Sequence, residues 1–274
     1  MRFFFDTADS DAINTLWSKF KLAVDPKAVV GITTNPSAMV KAGCKSLASW
    51  KDKVQELCIT LNSIRGDNRG VVYMQQPNSN MVPGQVVNYT NYMISGHNGE
   101  SRIGLKIPPY VPMLVAATHF NEHIEINVTG VADCSTALRA LTYDITYVSI
   151  IPGRMEEKGI NAKEQIAYAQ QRKLDTKSII TGSMRTIEGL RWVVQYGTVP
   201  TIGTKVLDLV LDEVGADGFV DMWKSPVHVP DQKLSPYVTP DMRSLSVDFF
   251  DQMDKLGETA YNETLVYKLD KHSV

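Results

Sequence analysis

A lysine, Lys106, stands inside the otherwise apolar run IGLKIP at residues 103–108. A parallel strand is covered on both faces, and an ammonium group is costly to bury there. Burial lowers the pKa of an amine, and the neutral amine can attack a ketone to form a Schiff base. The run by itself is equally compatible with a strand-end lysine whose stem is buried and whose ammonium reaches solvent. Polar residues on the neighbouring runs favour catalysis.

Several other short apolar runs also end in polar residues. Asp6 closes the aromatic run FFFD and could carry protons for an amine nucleophile, or it could cap the helix that begins near Ser10. Gln75 does not titrate, so its amide either orients a catalytic water or is an ordinary hydrogen-bonded side chain. The other polar residues at the ends of these runs are Thr33, Thr34, Asn35, Asn127, Thr129 and Thr201.

Arg154 and Ser183 follow the sixth and seventh runs, a region where β/α barrels often bind phosphate at a helix N-terminus. Arg154 offers a bidentate guanidinium, and Ser183 with Arg185 stands at the turn into a helix beginning near Thr186. Each arginine is also compatible with a solvated surface charge. The chain has 28 Lys and Arg against 30 Asp and Glu, a net charge of -2, so a bound anion requires a local site.

Two histidines, His119 and His123, lie one helical turn apart in the string HFNEH, which matches the H-x-x-E-H spacing of a class of zinc peptidases. That motif requires a long helix on both sides, whereas His123 runs directly into the strand-like string IEINV. Surface histidines are therefore favoured over a metal site, and no metal or other cofactor is expected. A zinc hydrolase is a distant alternative.

The elements that must position these residues alternate between strand-like runs and amphipathic helices. This alternation favours a parallel sheet, because parallel neighbours need a crossover long enough to hold a helix. Eight such units within about 200 residues predict a closed (β/α)8 barrel, a TIM barrel, over an open doubly wound sheet with its Gly-rich phosphate turn. The predicted strands are 2–6, 29–33, 71–75, 103–107, 124–128, 145–150, 178–182 and 199–203. The predicted helices include 10–20, 46–64, 133–141, 162–172 and 186–196.

The length of 274 residues fits one barrel followed by an extension. A β/α barrel commonly uses about 250 residues as a single unit. Beyond Gly215 the chain becomes irregular and rich in proline before a final amphipathic segment near residues 245–261. We predict a barrel domain over residues 1–218 and an extension over residues 219–274 that caps the barrel or packs on a neighbouring subunit.

Composition narrows the class of protein. Apolar residues form 43% and charged residues 21% of the chain, as in a globular domain with a hydrophobic core. The near-zero net charge disfavours nucleic acid or an anionic membrane as a partner. The N-terminal apolar run is too short for a signal peptide, and the three cysteines are too scattered for a disulfide framework. We therefore expect a cytoplasmic protein.

Six strings bring the candidate residues together in the order of a known family. They are FFDTAD at 4–9, GITTNPS at 31–37, GLKIP at 104–108, INVTGV at 126–131, GR at 153–154 and TGSMRT at 181–186. Across roughly its first 215 residues the chain resembles the transaldolase family, in particular the short branch that includes fructose-6-phosphate aldolase. GITTNPS is the most specific of these strings. The resemblance implies a class I aldolase mechanism on sugar-phosphate substrates and a homo-oligomer.

The resemblance also implies a role for each matching position. Lys106 is similar to the Schiff-base lysine and Asp6 to the acid–base aspartate, while Thr129 would hold the catalytic water. Together with Gln75, these are the candidate catalytic residues. The candidate substrate-binding residues are Thr33, Thr34, Asn35, Asn127, Arg154, Ser183 and Arg185, with the phosphate held by Arg154 and Ser183.

Two positions bear on whether the enzyme transfers a dihydroxyacetone unit or releases it. Transaldolases carry a glutamate on the third strand, where this chain has Gln75, as the aldolases do. The aldolases carry a tyrosine near the phosphate loop, where this chain has Ile151. Without that hydroxyl, a water that protonates the enamine is held less well, which favours transfer. The sequence thus predicts a transaldolase; the alternatives are fructose-6-phosphate aldolase and, disfavoured by Lys106 and Asp6, a non-catalytic sugar-phosphate binder.

Overall fold

The computed structural model describes residues 1–97, 101–120, 124–143, 145–224 and 240–260. Its eight strands are β1 (Phe3–Asp6), β2 (Val29–Thr33), β3 (Val71–Gln75), β4 (Arg102–Ile107), β5 (Glu125–Val131), β6 (Tyr147–Ile150), β7 (Ser178–Thr181) and β8 (Val199–Ile202). All neighbours pair in parallel in chain order, and β8 pairs with β1 to close the barrel. The predicted (β/α)8 TIM barrel is confirmed.

Helices connect the strands and surround the barrel in the described part of the chain. They are α1 (Ser10–Phe20), α2 (Pro36–Lys41), α3 (Leu47–Arg65), α4 (Pro83–Ile94), α5 (Val111–Phe120), α6 (Cys134–Leu141), α7 (Pro152–Glu157), α8 (Ala162–Arg172), α9 (Ile187–Gln195), α10 (Thr204–Asp221) and α11 (Pro240–Ala260). Helices α1 and α8 begin and end as predicted. Helices α3, α6 and α9 each begin one residue later than predicted, because the predicted first residue caps the helix instead. The ends of α3 and α9 also differ from the prediction by one residue, and α11 begins five residues before the predicted segment near 245–261.

Short polar side chains cap several of the helices that follow strands. Asp9 caps α1 by accepting a hydrogen bond from the Ala12 amide. Asn35 caps α2 in the same way, with the Ala38 amide as the donor at 2.9 Å. Because Asp9 fills the capping position of α1, Asp6 is not the helix cap that its sequence position also allowed.

An aromatic layer fills the barrel below the carboxyl ends of the strands. Phe4, Tyr73 and Tyr147 contact one another with ring centroids 5.8 to 6.2 Å apart. A glycine at residue 104 makes room for this layer, since a Cβ there would lie 2.5 Å from the Tyr73 ring. The barrel is therefore packed rather than open at its centre, as is general for this fold. In this fold the ligand site lies at the end at which the strands finish.

The end of the described chain lies against the carboxyl ends of the strands. Helix α11 contacts α2, β5 and α7. Helix α10 runs through residue 218, the predicted domain boundary, and its helical geometry is interrupted at Gly215 (φ 69°). The division of the chain at residue 218 stays a prediction. Within the described residues, every helix is too short or too polar to cross a bilayer.

Candidate active site

Lys106 lies on β4 near its carboxyl end, with its side chain enclosed by the barrel. Only 6% of the residue is exposed, and its Nζ donates a hydrogen bond to the backbone carbonyl of Thr34 at 3.1 Å. Its ammonium group does not reach solvent in the way that the alternative interpretation required. Burial lowers the pKa of the Lys106 amine, and the negative charge of Asp6 partly opposes this shift. A desolvated amine of this kind has more of the neutral, nucleophilic form at neutral pH than a surface lysine.

Two amide side chains flank Lys106 at the same level of the barrel. Gln75 on β3 and Asn127 on β5 are its register partners. Both are buried, and Gln75 Oε1 and Asn127 Nδ2 each lack a hydrogen-bond partner among the residues that the structure describes. A buried polar group without a partner costs about 1–3 kcal/mol. These two atoms are therefore suited to bind the polar groups of a ligand that reaches Lys106.

Ser149 on β6 orients the Asn127 amide. Its Oγ donates a hydrogen bond to Asn127 Oδ1 at 2.8 Å, which leaves the Asn127 amide nitrogen for another partner. Sequence reasoning missed Ser149. The sequence pattern that points to Lys106 also applies to this serine, because it is a polar residue inside the buried run 145–150.

Asp6 lies at the end of β1 beside Thr33, its register partner on β2. The Thr33 hydroxyl donates to Asp6 Oδ1 at 2.9 Å, so this threonine orients the carboxylate. Asp6 is half-buried, and its charge acts on Lys106. The structure thus places the candidate acid–base group within electrostatic reach of the candidate nucleophile.

Thr34 and Asn35 continue the chain from β2 across the mouth of the barrel. The Thr34 hydroxyl donates to the Tyr73 carbonyl at 3.0 Å, while its own carbonyl receives the hydrogen bond from Lys106. Asn35 uses its side-chain oxygen to cap α2, so its amide nitrogen is the group suited to a ligand. Thr34 consequently positions the lysine through its backbone, a role that its residue type did not indicate.

Thr129 lies two residues beyond Asn127 on β5, where the strand departs from regular pairing. The register between β5 and β6 shifts between Val128 and Val131, and Gly130 adopts a φ of 72°. Such a bulge changes the direction in which nearby side chains point. The buried Thr129 therefore lies on an irregular strand end that extends past the predicted run 124–128.

Arg154 and Ser183 come from loops that the structure packs tightly together. A Cβ at Gly153 would lie 1.7 Å from the Ser183 carbonyl oxygen, so only glycine allows this approach. Ser183 has a φ of 60°, an uncommon value for a residue with a side chain. Arg154 is half-buried, and its Nε is buried without a hydrogen-bond partner in the described residues. A buried guanidinium nitrogen without a partner is a natural anchor for an anion.

Arg185 lies close to Arg154 but at the surface. Its Nε donates to Glu157 Oε1 at 3.1 Å, and its side chain is 54% exposed. Burial lowers the pKa of Arg154, and the positive charge of Arg185 acts in the same direction while Glu157 opposes it. Arg185 therefore adds positive charge near Arg154. One of its nitrogens already donates a hydrogen bond to Glu157.

The predicted histidine pair lies mostly outside the described residues. His119 falls in the last turn of α5, whereas Glu122 and His123 are not described. In the part of the chain that is described, no group of three or more His, Cys, Asp or Glu side chains could hold a metal ion.

The barrel and the polar residues at one of its ends define a (β/α)8-barrel enzyme. The sequence model of the transaldolase/fructose-6-phosphate aldolase family matches residues 3–214. The chain belongs to this family of aldolase-type enzymes. It is 28% identical over 237 residues to "Probable transaldolase 2" of Bacillus cereus, covering 82% of this chain and 99% of the relative. It is also 28% identical over 239 residues to "Probable transaldolase" of Desulforapulum autotrophicum, covering 82% and 98%.

Solved structures of other enzymes share the fold. Thiamine phosphate pyrophosphorylase from Pyrococcus furiosus superposes with a TM-score of 0.51 at 10% identity, covering 81% of this chain and 95% of that one. Orotidine 5'-phosphate decarboxylase from Pyrococcus horikoshii gives a TM-score of 0.50 at 9% identity, covering 81% and 97%. At these identities the likeness concerns the barrel alone.

Proposed function

We propose that this protein is a transaldolase that uses Lys106 to transfer a dihydroxyacetone unit between sugar phosphates through a Schiff base. The observation that carries the proposal is the buried amine of Lys106, with a lowered pKa, in one row with Gln75 and Asn127. A surface lysine is mostly protonated at neutral pH, whereas a desolvated amine is available to attack a ketone. The names of the relatives also support transaldolase activity.

The first half of the reaction cleaves the donor. The Nζ lone pair of Lys106 attacks the C2 carbonyl carbon of fructose 6-phosphate, and loss of the C2 oxygen as water leaves a protonated imine. A base removes the C4 hydroxyl proton, the C3–C4 bond breaks, and its electron pair moves into the imine to form an enamine. Glyceraldehyde 3-phosphate departs. We assign the proton transfers to Asp6, which Thr33 holds in place.

The second half rebuilds a ketose. The enamine carbon attacks the aldehyde carbon of an acceptor such as erythrose 4-phosphate, whose oxygen takes up a proton. Water then hydrolyses the new imine, releasing sedoheptulose 7-phosphate and the free amine of Lys106. We assign the positioning of this water to Thr129. The unpartnered amide atoms of Gln75 and Asn127 are suited to bind substrate hydroxyls, and Arg154 with Ser183 to bind phosphate.

Reductive trapping tests the Schiff base. Borohydride added in the presence of saturating fructose 6-phosphate is expected to reduce the imine to a stable secondary amine on Lys106, which peptide mass analysis locates. Lys106→Met protein treated in the same way is the control and should carry no adduct. An unmodified Lys106 peptide under saturating substrate would exclude the proposed mechanism.

Release of free dihydroxyacetone is the second candidate activity, and Gln75 on the third strand favours it because that position resembles the aldolases. The enamine is then protonated at carbon and the imine is hydrolysed. With fructose 6-phosphate and erythrose 4-phosphate together, we expect sedoheptulose 7-phosphate to form faster than free dihydroxyacetone. A dominant release of dihydroxyacetone in the presence of acceptor would reassign the protein as an aldolase.

Substitutions at Ile151 test whether the absence of a hydroxyl at this position makes transfer faster than release of free dihydroxyacetone. This residue is buried at the start of α7, beside the candidate phosphate loop. Ile151→Tyr is expected to raise the share of free dihydroxyacetone, because its hydroxyl can hold a water that protonates the enamine. Ile151→Phe is the matched control, with nearly the same volume and no hydroxyl; overpacking costs about 1–3 kcal/mol in either variant. Equal product ratios in the two variants would disprove the role of the hydroxyl.

The remaining expectations concern the setting of the enzyme. Sugar phosphates are the proposed substrates, and the family resemblance implies assembly into a homo-oligomer. A cytoplasmic location stays a prediction from composition and cysteine usage.

A further inference from the structure

Helix α11 contacts the candidate site although it lies beyond residues 3–214, which the family model matches. Ser246 Oγ donates a hydrogen bond to the carbonyl of Gly130, the residue that follows Thr129. A Cβ at Gly130 would lie 2.6 Å from the Phe250 ring, so the helix packs directly on the irregular end of β5. Helix α11 thus forms part of the surroundings of the candidate active site.

The same helix also forms hydrogen bonds to the loop after β3. Asp254 accepts hydrogen bonds from the amide and hydroxyl of Ser79, at 2.8 and 2.6 Å. A Cβ at Gly257 would lie 2.0 Å from the Pro77 carbonyl oxygen, so the helix backbone lies close to this loop. With contacts at β5 and at the loop after β3, the segment between them has a defined position over the barrel.

Two side chains from this segment contact the Arg154 guanidinium. Its carbon lies 5.0 Å from the centroid of the Phe249 ring, within the range of a cation–π interaction. Its Nη1 donates a hydrogen bond to Gln252 Oε1 at 2.8 Å. Phe249 is buried, whereas Gln252 is exposed. The planar guanidinium is therefore held on one face by a ring and at one nitrogen by an amide.

This arrangement determines which edge of Arg154 remains for a ligand. A guanidinium binds phosphate through two nitrogens on one edge. Gln252 occupies Nη1, which leaves the edge formed by Nε and Nη2, and Nε is the buried nitrogen without a partner in the described chain. A neutral amide leaves the positive charge of Arg154 intact, as an anion site requires.

We propose that Phe249 and Gln252 are positioning residues that orient Arg154 so that its Nε edge binds the phosphate of the sugar substrate. The inference rests on the proposed function and extends it to the C-terminal helix. The helix then contributes to the preference for phosphorylated over unphosphorylated ketoses.

Four variants of the full-length protein test this inference. Gln252→Ala removes the hydrogen bond and is expected to raise KM for fructose 6-phosphate about three- to tenfold, with little change in kcat. Phe249→Leu removes the ring face and should raise KM about threefold. Gln252→Glu keeps a hydrogen-bond acceptor but neutralises the guanidinium, so its KM should exceed that of Gln252→Ala. Asp248→Ala, at an exposed position of the same helix, is the matched control and should match wild type.

Activity with fructose distinguishes a role in phosphate binding from a merely structural role of Phe249 and Gln252. The kcat/KM for this phosphate-free ketose should be equal in wild type and in all four variants, because none of the changes touches Lys106. An equal loss with fructose and fructose 6-phosphate would overturn the inference, since it would indicate general damage to the helix. Thermal unfolding of each variant checks that the fold is retained.

Arg154→Met, which removes the guanidinium, separates failure of the inference from failure of the phosphate assignment. If Arg154→Met raises KM for fructose 6-phosphate while the Gln252 and Phe249 variants do not, the positioning role is wrong and the phosphate assignment stands. If Arg154→Met leaves KM unchanged, Arg154 does not bind the phosphate, and both the phosphate assignment and the positioning role are overturned. If borohydride traps no adduct on Lys106, the proposed chemistry fails irrespective of either result.

Discussion

Lys106→Met is expected to lower kcat/KM for transfer by roughly 10⁴-fold or more, the scale on which loss of a covalent nucleophile slows an enzyme. Methionine keeps a long, apolar side chain but cannot form an imine. The barrel encloses the Lys106 amine, so a surface lysine cannot take its place. Sedoheptulose 7-phosphate formation from fructose 6-phosphate and erythrose 4-phosphate measures the loss. Activity near that of wild type would contradict the nucleophilic role.

The thermal stability of Lys106→Met provides the control for its loss of activity. Burial lowers the pKa of Lys106 from its ordinary value of 10.5, so in the pH range between the two values the unfolded chain binds a proton that the folded chain does not. This difference disfavours folding as the pH falls below 10.5. Lys106→Met should therefore have a higher Tm than wild type at neutral pH, and the difference should shrink as the pH rises towards 10.5. A lower Tm at neutral pH would indicate that the lost activity reflects damaged folding.

Asp6→Asn is expected to lower kcat by about 10²- to 10⁴-fold, the contribution typical of a positioned proton carrier. The variant should also change the pH dependence. The Asp6 carboxylate raises the pKa of Lys106, opposing the effect of burial, so its removal lowers that pKa further. The rise of kcat/KM with pH that reports deprotonation of Lys106 should then move to lower pH. A pH profile of kcat/KM for wild type and variant measures this shift.

Asp9→Asn is the matched control for Asp6→Asn. Asp9 lies three residues further along and caps α1, a role that asparagine fills equally well. We expect wild-type kcat, pH profile and Tm for this variant. A rise of kcat/KM that moved to higher pH in Asp6→Asn would contradict the placement of the Asp6 charge near Lys106.

The strands were predictable because each is a short apolar run ended by polar or turn-forming residues. The runs 29–33 and 71–75 coincide with β2 and β3 as the structure has them. The run 124–128 is too short, because β5 continues through Thr129 and Gly130 to Val131. A glycine with positive φ usually marks the end of a strand, and here packing against Phe250 holds it within one.

The candidate site was predictable as a set of residues but not as an arrangement. Polar residues at the ends of buried runs can be identified in the sequence. The carboxyl ends of parallel strands meet at one end of a barrel, so these residues are expected to lie together. The sequence allowed Asp6 to be either a proton carrier or the cap of α1, and in the structure Asp9 is the cap. Ser149 and Gln252 act through Asn127 and Arg154, so their roles depend on partners that no local pattern identifies.

Apolar periodicity and short motifs are local properties of the chain, so the barrel, its family and the residue types at its carboxyl end could be predicted before folding was considered. The desolvation of Lys106 could not be predicted in this way, since its enclosure and its hydrogen bond to Thr34 join positions 72 residues apart. The same holds for the position of α11 against Arg154, which depends on a contact between residues 98 positions apart. Desolvation and hydrogen-bond partners arise from residues distant in the chain, so they exist only after folding.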